Sequence, residues 1–296
     1  MQVVAYYLAL PFIYLISILP FPVLYLFSDL LFTVIYHIIG YRTAVVYQNL
    51  RNAFPSKSEQ EITTIAREFY QHFCDLLMES IKSLTISKKE IINRCQFAPG
   101  SMAVFNNFFS EGVNVIALMG HYGNWEWAGL SMSSQSPYQL NVVYRPLTNH
   151  NFDKLIYNLR SRFGARPLPM NSAIRKMLSN KSTLSTTVFI ADQTPPRETE
   201  LWMKFLNQDT PVFQGAELIA AKLKYPAVYA GVKKIKRGYY YIYIETLDNH
   251  PEQLPKAALT QLFNQRLEKD IIEKPATWLW SHRRWKHKRN VPVSTL

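Results

Sequence analysis

The sequence predicts an α/β fold, a mixed sheet flanked by helices with an N-terminal membrane-anchor helix. Three observations predict it. Val3 to Phe27 is a run without charge. From about Val113 onward, short β-rich segments alternate with helical ones. The chain carries a net charge of +12, and none of its 33 Lys and Arg lies before residue 42. At 296 residues with 48% apolar and 18% charged types, the chain can bury a sizeable core. Ten Gly and 17 Pro without a period exclude a collagen-like architecture. Two cysteines, Cys74 and Cys95, without a CxxC spacing, exclude a disulfide scaffold and a multi-Cys zinc module.

The elements follow in chain order. The uncharged run exceeds the roughly 20 apolar residues that cross a bilayer core, although Pro11, Pro20 and Pro22 interrupt it. A second apolar stretch, Leu30 to Ile39, is too short to span and would lie in the interface or pack on the first. No basic n-region or small-residue cleavage site marks a signal peptide. Arg42 and Arg51 follow the apolar segment, which places the remainder on the cytoplasmic side of a membrane. This divides the chain into residues 1–41, anchor and interfacial segment, and 42–296, one catalytic domain.

In the body, Ile62, Ile65, Phe69, Phe73, Leu76 and Ile81 recur at helical spacing, behind a Ser58/Glu61 capping box. Strands are expected at Val113–Leu118, Leu140–Tyr144, Thr186–Ala191, Pro226–Val232 and Tyr239–Glu245. Helices are expected near Trp125–Met132, Phe152–Phe163, Ala173–Leu178, Gln214–Leu223 and Lys256–Ile272. Alternation of this kind argues for a sheet covered by helices.

The stretch Gly120-His-Tyr-Gly-Asn-Trp-Glu126 carries the most chemistry. A strand ends before Gly120, Gly120 and Gly123 bracket His121, and Asn124 can cap a helix beginning at Trp125. The carboxyl end of a strand, in the turn to a helix, is where α/β sheets place their sites. If the turn folds back, Glu126 would meet the His121 ring, fix its tautomer and make it a general base. The alternative is a structural His followed by an acid favoured by the helix dipole.

These residues carry a resemblance. GHYGNWE resembles the HxxxxD/E motif of glycerolipid acyltransferases and, more narrowly, that of the lipid A biosynthesis acyltransferases, the lauroyl and myristoyl transferases. Val143-Tyr-Arg-Pro146, followed by Arg160 and Arg162, resembles a second block of that family. Ala191-Asp-Gln193 resembles a third, and Pro275 to Lys286, PATWLWSHRRWK, resembles the terminal one. The resemblance implies a glycerolipid-acyltransferase-like fold and a bacterial inner-membrane enzyme. That enzyme would move a fatty acyl chain from acyl carrier protein to a hydroxyl of a lipid A precursor or related glycolipid. A lysophospholipid or amino-acid lipid is the alternative acceptor.

By the same resemblance, His121 and Glu126 are catalytic. Asn124, Arg145, Arg160, Asp192, Gln193, Arg283 and Arg284 are expected to bind substrate. Arg145 would serve an oxyanion or a phosphate, or else a structural ion pair. Asp192 and Gln193 would hold sugar hydroxyls or orient loops, and Arg283 and Arg284 would grip acceptor phosphates. No cofactor beyond the acyl donor and no metal site are expected. The family's pattern is departed from at Asn149-His150, Thr194-Pro195-Pro196 and Phe205-Leu206-Asn207.

A +12 chain can meet nucleic acid, an anionic membrane or an acidic partner. The tail from Trp278 to Arg289 interleaves three Trp with five Lys and Arg, which would suit single-stranded nucleic acid or a bilayer surface. Behind an apolar segment and an acyltransferase motif, the expectation is membrane, phosphorylated glycolipid and acidic acyl carrier, and no nucleic acid.

Overall fold

The computed structural model describes all residues except 1, 180–182, 198, 200 and 290–296. The expected single apolar run is split. Helix α1 (Gln2–Ile18) stops before Leu19 and Pro20, and α2 (Phe21–Phe32) starts with Phe21 and Pro22 in its first turn, where proline is tolerated. No proline falls between Pro22 and Gly40, so Leu30 to Ile39 is not a separate stretch. The helix runs on as a π-helical segment, Thr33–Ile39, and ends at Gly40 in the left-handed conformation (φ 63°). The continuous Phe21–Ile39 stretch is long and apolar enough to cross a membrane by length and composition.

Helices α3 (Thr43–Ala53) and α4 (Glu59–Lys82) follow. The expected capping box is formed, with Glu61 N donating to Ser58 Oγ and Ser58 N to Glu61 Oε2 (2.9 Å). The N-terminal helices dock on α4 through polar contacts. Ser28 Oγ donates to Asp75 Oδ1 (2.8 Å), Tyr25 OH to Glu79 Oε1 (2.8 Å), and Lys82 Nζ to the Leu19 carbonyl (2.8 Å).

Helix α5 (Lys88–Arg94), strand β1 (Cys95–Phe97) and α6 (Ser101–Ser110) lead into β2 (Val115–Met119). Then come α7 (Trp125–Gln135), β3 (Gln139–Tyr144), α8 (His150–Ser161), β4 (Arg166–Pro169), α9 (Ala173–Ser179) and β5 (Ser185–Ile190). A two-stranded antiparallel ribbon, β6 (Trp202–Phe205) and β7 (Gln208–Pro211), precedes α10 (Gly215–Leu223). Strands β8 (Ala227–Lys236) and β9 (Tyr239–Asp248) and helix α11 (Ala258–Glu273) complete the order. The five expected strands are all present, with ends shifted by a few residues. Strands β1, β4, β6 and β7 are additional.

The main sheet has seven strands in the order β1-β9-β8-β2-β5-β3-β4. From β8 to β4 neighbours are parallel, while β9 runs antiparallel to β8. Strand β4 contains Pro167 and Pro169 and lies at the sheet edge, where lost amide donors matter least. Strand β2 is buried throughout and alternates between two cores. Ile116 and Leu118 pack with Val46, Phe69, Phe263 and Trp280 on one face; Val115, Ala117 and Met119 pack with Trp127, Leu140 and Tyr240 on the other. Met119 pairs with Ile190 in β5, so the residues after both strands emerge side by side at the carboxyl edge.

Candidate active site

The turn after β2 holds His121 by its backbone. The His121 carbonyl accepts from Leu279 N (3.2 Å), and Gly123 N donates to the Thr277 carbonyl (3.0 Å). Gly123 has φ 63°, and a Cβ there would lie 2.2 Å from the Val232 carbonyl oxygen, so only glycine fits. At Gly120 a Cβ would lie 2.7 Å from Leu267 and 3.3 Å from Asp192 Oδ2, which crowds the carboxylate that faces this turn. Asn124 caps α7 as expected, its side-chain oxygen accepting from Trp127 N (2.9 Å).

Asp192 emerges from the neighbouring strand β5 and is buried. Its Oδ1 lies 2.6 Å from His121 Nδ1, and its Oδ2 accepts from His121 N (2.7 Å) and from the indole Nε1 of Trp278 (2.8 Å). Burial alone would raise the Asp192 carboxyl. The His121 charge and these three donors overcome it and hold the group below the ordinary carboxylate range. Because an ionised carboxylate only accepts, His121 Nδ1 donates to it, and Nε2 is the ring nitrogen left on the Gln193 side. The Gln193 amide nitrogen lies 3.2 Å from Nε2. The Trp125 ring meets the imidazole edge-on at 5.0 Å between centroids.

Glu126 does not take the place beside the ring expected from the sequence. At the second position of α7 it points to α8, where Arg160 grips it with two nitrogens, Nε at 3.0 Å. Burial works to raise the Glu126 carboxyl. The Arg160 guanidinium, with a smaller contribution from His121, holds it below its ordinary value. Asp192 thus orients His121, and Glu126 and Arg160 form a second, charged pair on the same cavity wall.

That cavity measures about 1210 Å³, above the usual range of small-ligand sites. His121, Glu126, Arg160, Arg145 and Gln193 all line it. Apolar ground comes from Leu130, Val142, Ile156, Ile190 and Phe213, and further cations from Arg197 and Lys286. The combination suits a ligand with an anionic head and a hydrocarbon chain. Cys74 and Cys95 are buried away from it, and burial pushes the Cys74 thiol up to about 12, so neither is a nucleophile. Among the described residues no group of three or more His, Cys, Asp or Glu could hold a metal ion.

The family model of bacterial lipid A biosynthesis acyltransferases matches residues 1–287. The chain belongs to that family. A comparison with curated proteins found no match. Membership makes this chain an enzyme of acyl transfer, and its large, cation-rimmed apolar cavity fits lipid substrates.

Four of the residues expected to bind substrate stand off the cavity lining in this acyltransferase, the first being Asp192, buried and committed to His121 and Trp278. Asn124 is buried and spends its amide on Glu79 Oε2 (2.6 Å), so it supports the turn and does not line the cavity. Arg283 is exposed and off the cavity lining. Arg284 is wholly buried, and none of its guanidinium nitrogens has a hydrogen-bond partner among the described residues. Burial lowers it to about 10. Its carbonyl accepts from Thr194 Oγ1 (2.9 Å), and Thr194 N donates to His282 Nε2 (3.2 Å). Burial pushes His282 down to about 4, so the ring is neutral and able to accept. The terminal block therefore props the loop that carries Asp192. Sequence reasoning missed Trp278, Trp125, Arg197 and Lys286. For Trp278 there was a signal, since a buried indole N–H needs an acceptor.

Proposed function

We propose that this acyltransferase moves a fatty acyl chain from the thioester of acyl carrier protein to a hydroxyl of a lipid A precursor, with His121 as general base. The observation that carries the reading is the locked imidazole, Nδ1 on Asp192 and Nε2 toward the cavity. An incoming acceptor hydroxyl would displace the Gln193 amide and give its proton to Nε2 as its oxygen attacks the thioester carbonyl. Collapse of the tetrahedral adduct breaks the C–S bond. The proton then passes from Nε2 to the departing thiolate, leaving an ester and a thiol. Direct attack through a ternary complex fits a wall without a cysteine nucleophile.

Asp192, and at longer range Glu126, stabilise the imidazolium formed in that step. Arg145, Arg160 and Arg197 would take the oxyanion and the acceptor's phosphates. The apolar N-terminal helices would hold the enzyme on the cytoplasmic face of the inner membrane, where anionic headgroups and an acidic carrier both suit a +12 chain.

The test is purified enzyme with acyl carrier protein thioester and lipid A precursor, wild type against His121→Ala. A loss of at least about a thousandfold in turnover is expected, and undiminished turnover overturns the mechanism. Mass spectrometry of lipid A from cells with and without the gene tests the acceptor. Fully acylated lipid A in the deletion strain would point to a lysophospholipid or amino-acid lipid. A carrier docked by charge predicts a donor KM that rises with salt.

A further inference from the structure

Helix α9 is apolar on two sides. Ala173 and Met177 face inward and are buried in the core. Met170, in the 3-10 turn Met170–Ser172, and Ile174 and Leu178 follow at successive steps of four. They form a second stripe, exposed at 54%, 42% and 37%. Nothing in the described residues covers that stripe. Exposed Arg175 and Lys176 flank it, and neither is paired with an acid among the described residues. An outward apolar stripe edged by cations on a short helix is the pattern of a segment lying in a membrane interface.

Its place in the fold supplies the second argument. The turn starts where β4 ends, at the carboxyl edge of the sheet, and Met170 and Asn171 line the catalytic cavity. Leu147, half exposed, stands on the same lining. Helix α8, which lends the cavity Ile156 and Arg160, touches the apolar N-terminus, where Phe152 meets the Tyr6 ring edge-on at 5.1 Å. Helix α1 in turn exposes Leu8, Phe12 and Leu15. Exposed apolar residues thus stand on α1 and at the cavity mouth on α9, and α8 touches α1 and lines the cavity.

We infer that α9 is an interfacial helix that seats the mouth of the cavity on an anionic bilayer. Met170, Ile174 and Leu178 enter the acyl boundary, and Arg175 and Lys176 meet lipid phosphates. Resting on the reading of a membrane-lipid acceptor, this gives that lipid a route from the leaflet into the cavity without leaving hydrocarbon.

The test uses the full chain reconstituted in vesicles of phosphatidylethanolamine and phosphatidylglycerol. Because Cys74 and Cys95 are both buried, a thiol-reactive fluorophore sensitive to its surroundings labels Ile174→Cys or Leu178→Cys selectively. Glu111→Cys, exposed beyond the opposite, amino-terminal end of β2, is the water-facing reference. Blue-shifted emission at 174 and 178 is expected, with quenching by lipids doxyl-labelled high in the acyl chain several-fold stronger than at 111. Labels at 174 and 178 as water-exposed as the reference would overturn the proposal. So would a shift that appears only on adding acyl carrier protein, which would make α9 a carrier site. The readout needs no turnover, so failure of the acyl-transfer reading and failure of this one are told apart. A second variant, Ile174→Asp with Leu178→Asp, should raise the KM for acceptor presented in vesicles several-fold. It should leave the KM for the same acceptor in detergent unchanged.

Discussion

Asp192 holds His121 at two points, through Oδ1 on the ring Nδ1 at 2.6 Å and through Oδ2 on the backbone N–H at 2.7 Å. One carboxylate therefore fixes both the tautomer and the position of the residue relative to β5. Asp192→Asn separates the two roles. An amide can still accept one hydrogen bond, but it carries no charge to stabilise the imidazolium and can reverse the tautomer. The expected result is a loss in kcat on the order of a thousandfold with a folded enzyme. Circular dichroism and steady-state kinetics check it, and a loss below about tenfold would remove Asp192 from the mechanism.

The Glu126–Arg160 pair makes a different prediction. Arg160→Met strands a partly buried carboxylate, at a cost of about 2 kcal/mol after allowing for partial solvent access. Glu126→Gln combined with Arg160→Met removes both charges and should regain most of the lost Tm. Activity should not return, because the negative charge near the His121 imidazolium and the cation over the cavity are both gone. Glu126→Gln alone should lower kcat on the order of a hundredfold. Thermal melts and kinetics on the three variants decide it, and a double variant with native turnover would make the pair structural.

Gly123→Ala probes the turn without touching a charged group. The added methyl meets the Val232 carbonyl and the backbone stands at φ 63°, so strain and collision act together. A destabilisation of at least about 2 kcal/mol is expected by denaturant melt. Residual activity should fall further than the unfolded fraction explains, because His121 rides on the same turn. Activity that tracks the folded fraction alone would contradict this.

The fold was largely legible in the sequence, and the site only in part. Alternation and run length marked β2, β3, β5, β8 and β9, whereas β1, β4, β6 and β7 are three or four residues long and offer too little pattern. The turn around His121 was readable because its glycines, its cap and its helix are local in sequence. The partner of His121 was not. Glu126 is close in sequence, but the start of α7 carries it toward Arg160, while Asp192 arrives 71 residues later from an adjacent strand. Arg284 misled for a related reason. A run of Arg reads as surface charge, yet Arg284 is wholly buried, in a block whose Trp278 and Trp285 rings meet each other edge-on.

Glu79 ties these parts together and gives the enzyme a pH-dependent stability. Wholly buried on α4, it accepts from Tyr25 of α2, Tyr240 of β9 and Asn124, the cap of the His121 turn. Burial, reinforced by the neighbouring charge of Asp75, pushes its carboxyl up to about 7; the two tyrosine hydroxyls and Lys234 act in the opposite direction. Between the ordinary carboxyl value of 4.5 and about 7, the folded protein keeps a proton that the unfolded chain has lost. The stabilisation is complete below the lower value and fades as pH rises through the upper one, by roughly 3 kcal/mol in all. Glu79→Gln has the same shape and no charge to desolvate, and the tyrosine hydroxyls can turn to suit it. Its Tm should stay level from pH 5 to pH 8 while that of the wild type falls, so that the variant is the more stable at pH 8. Parallel Tm curves for the two proteins across that window would show that Glu79 does not titrate there.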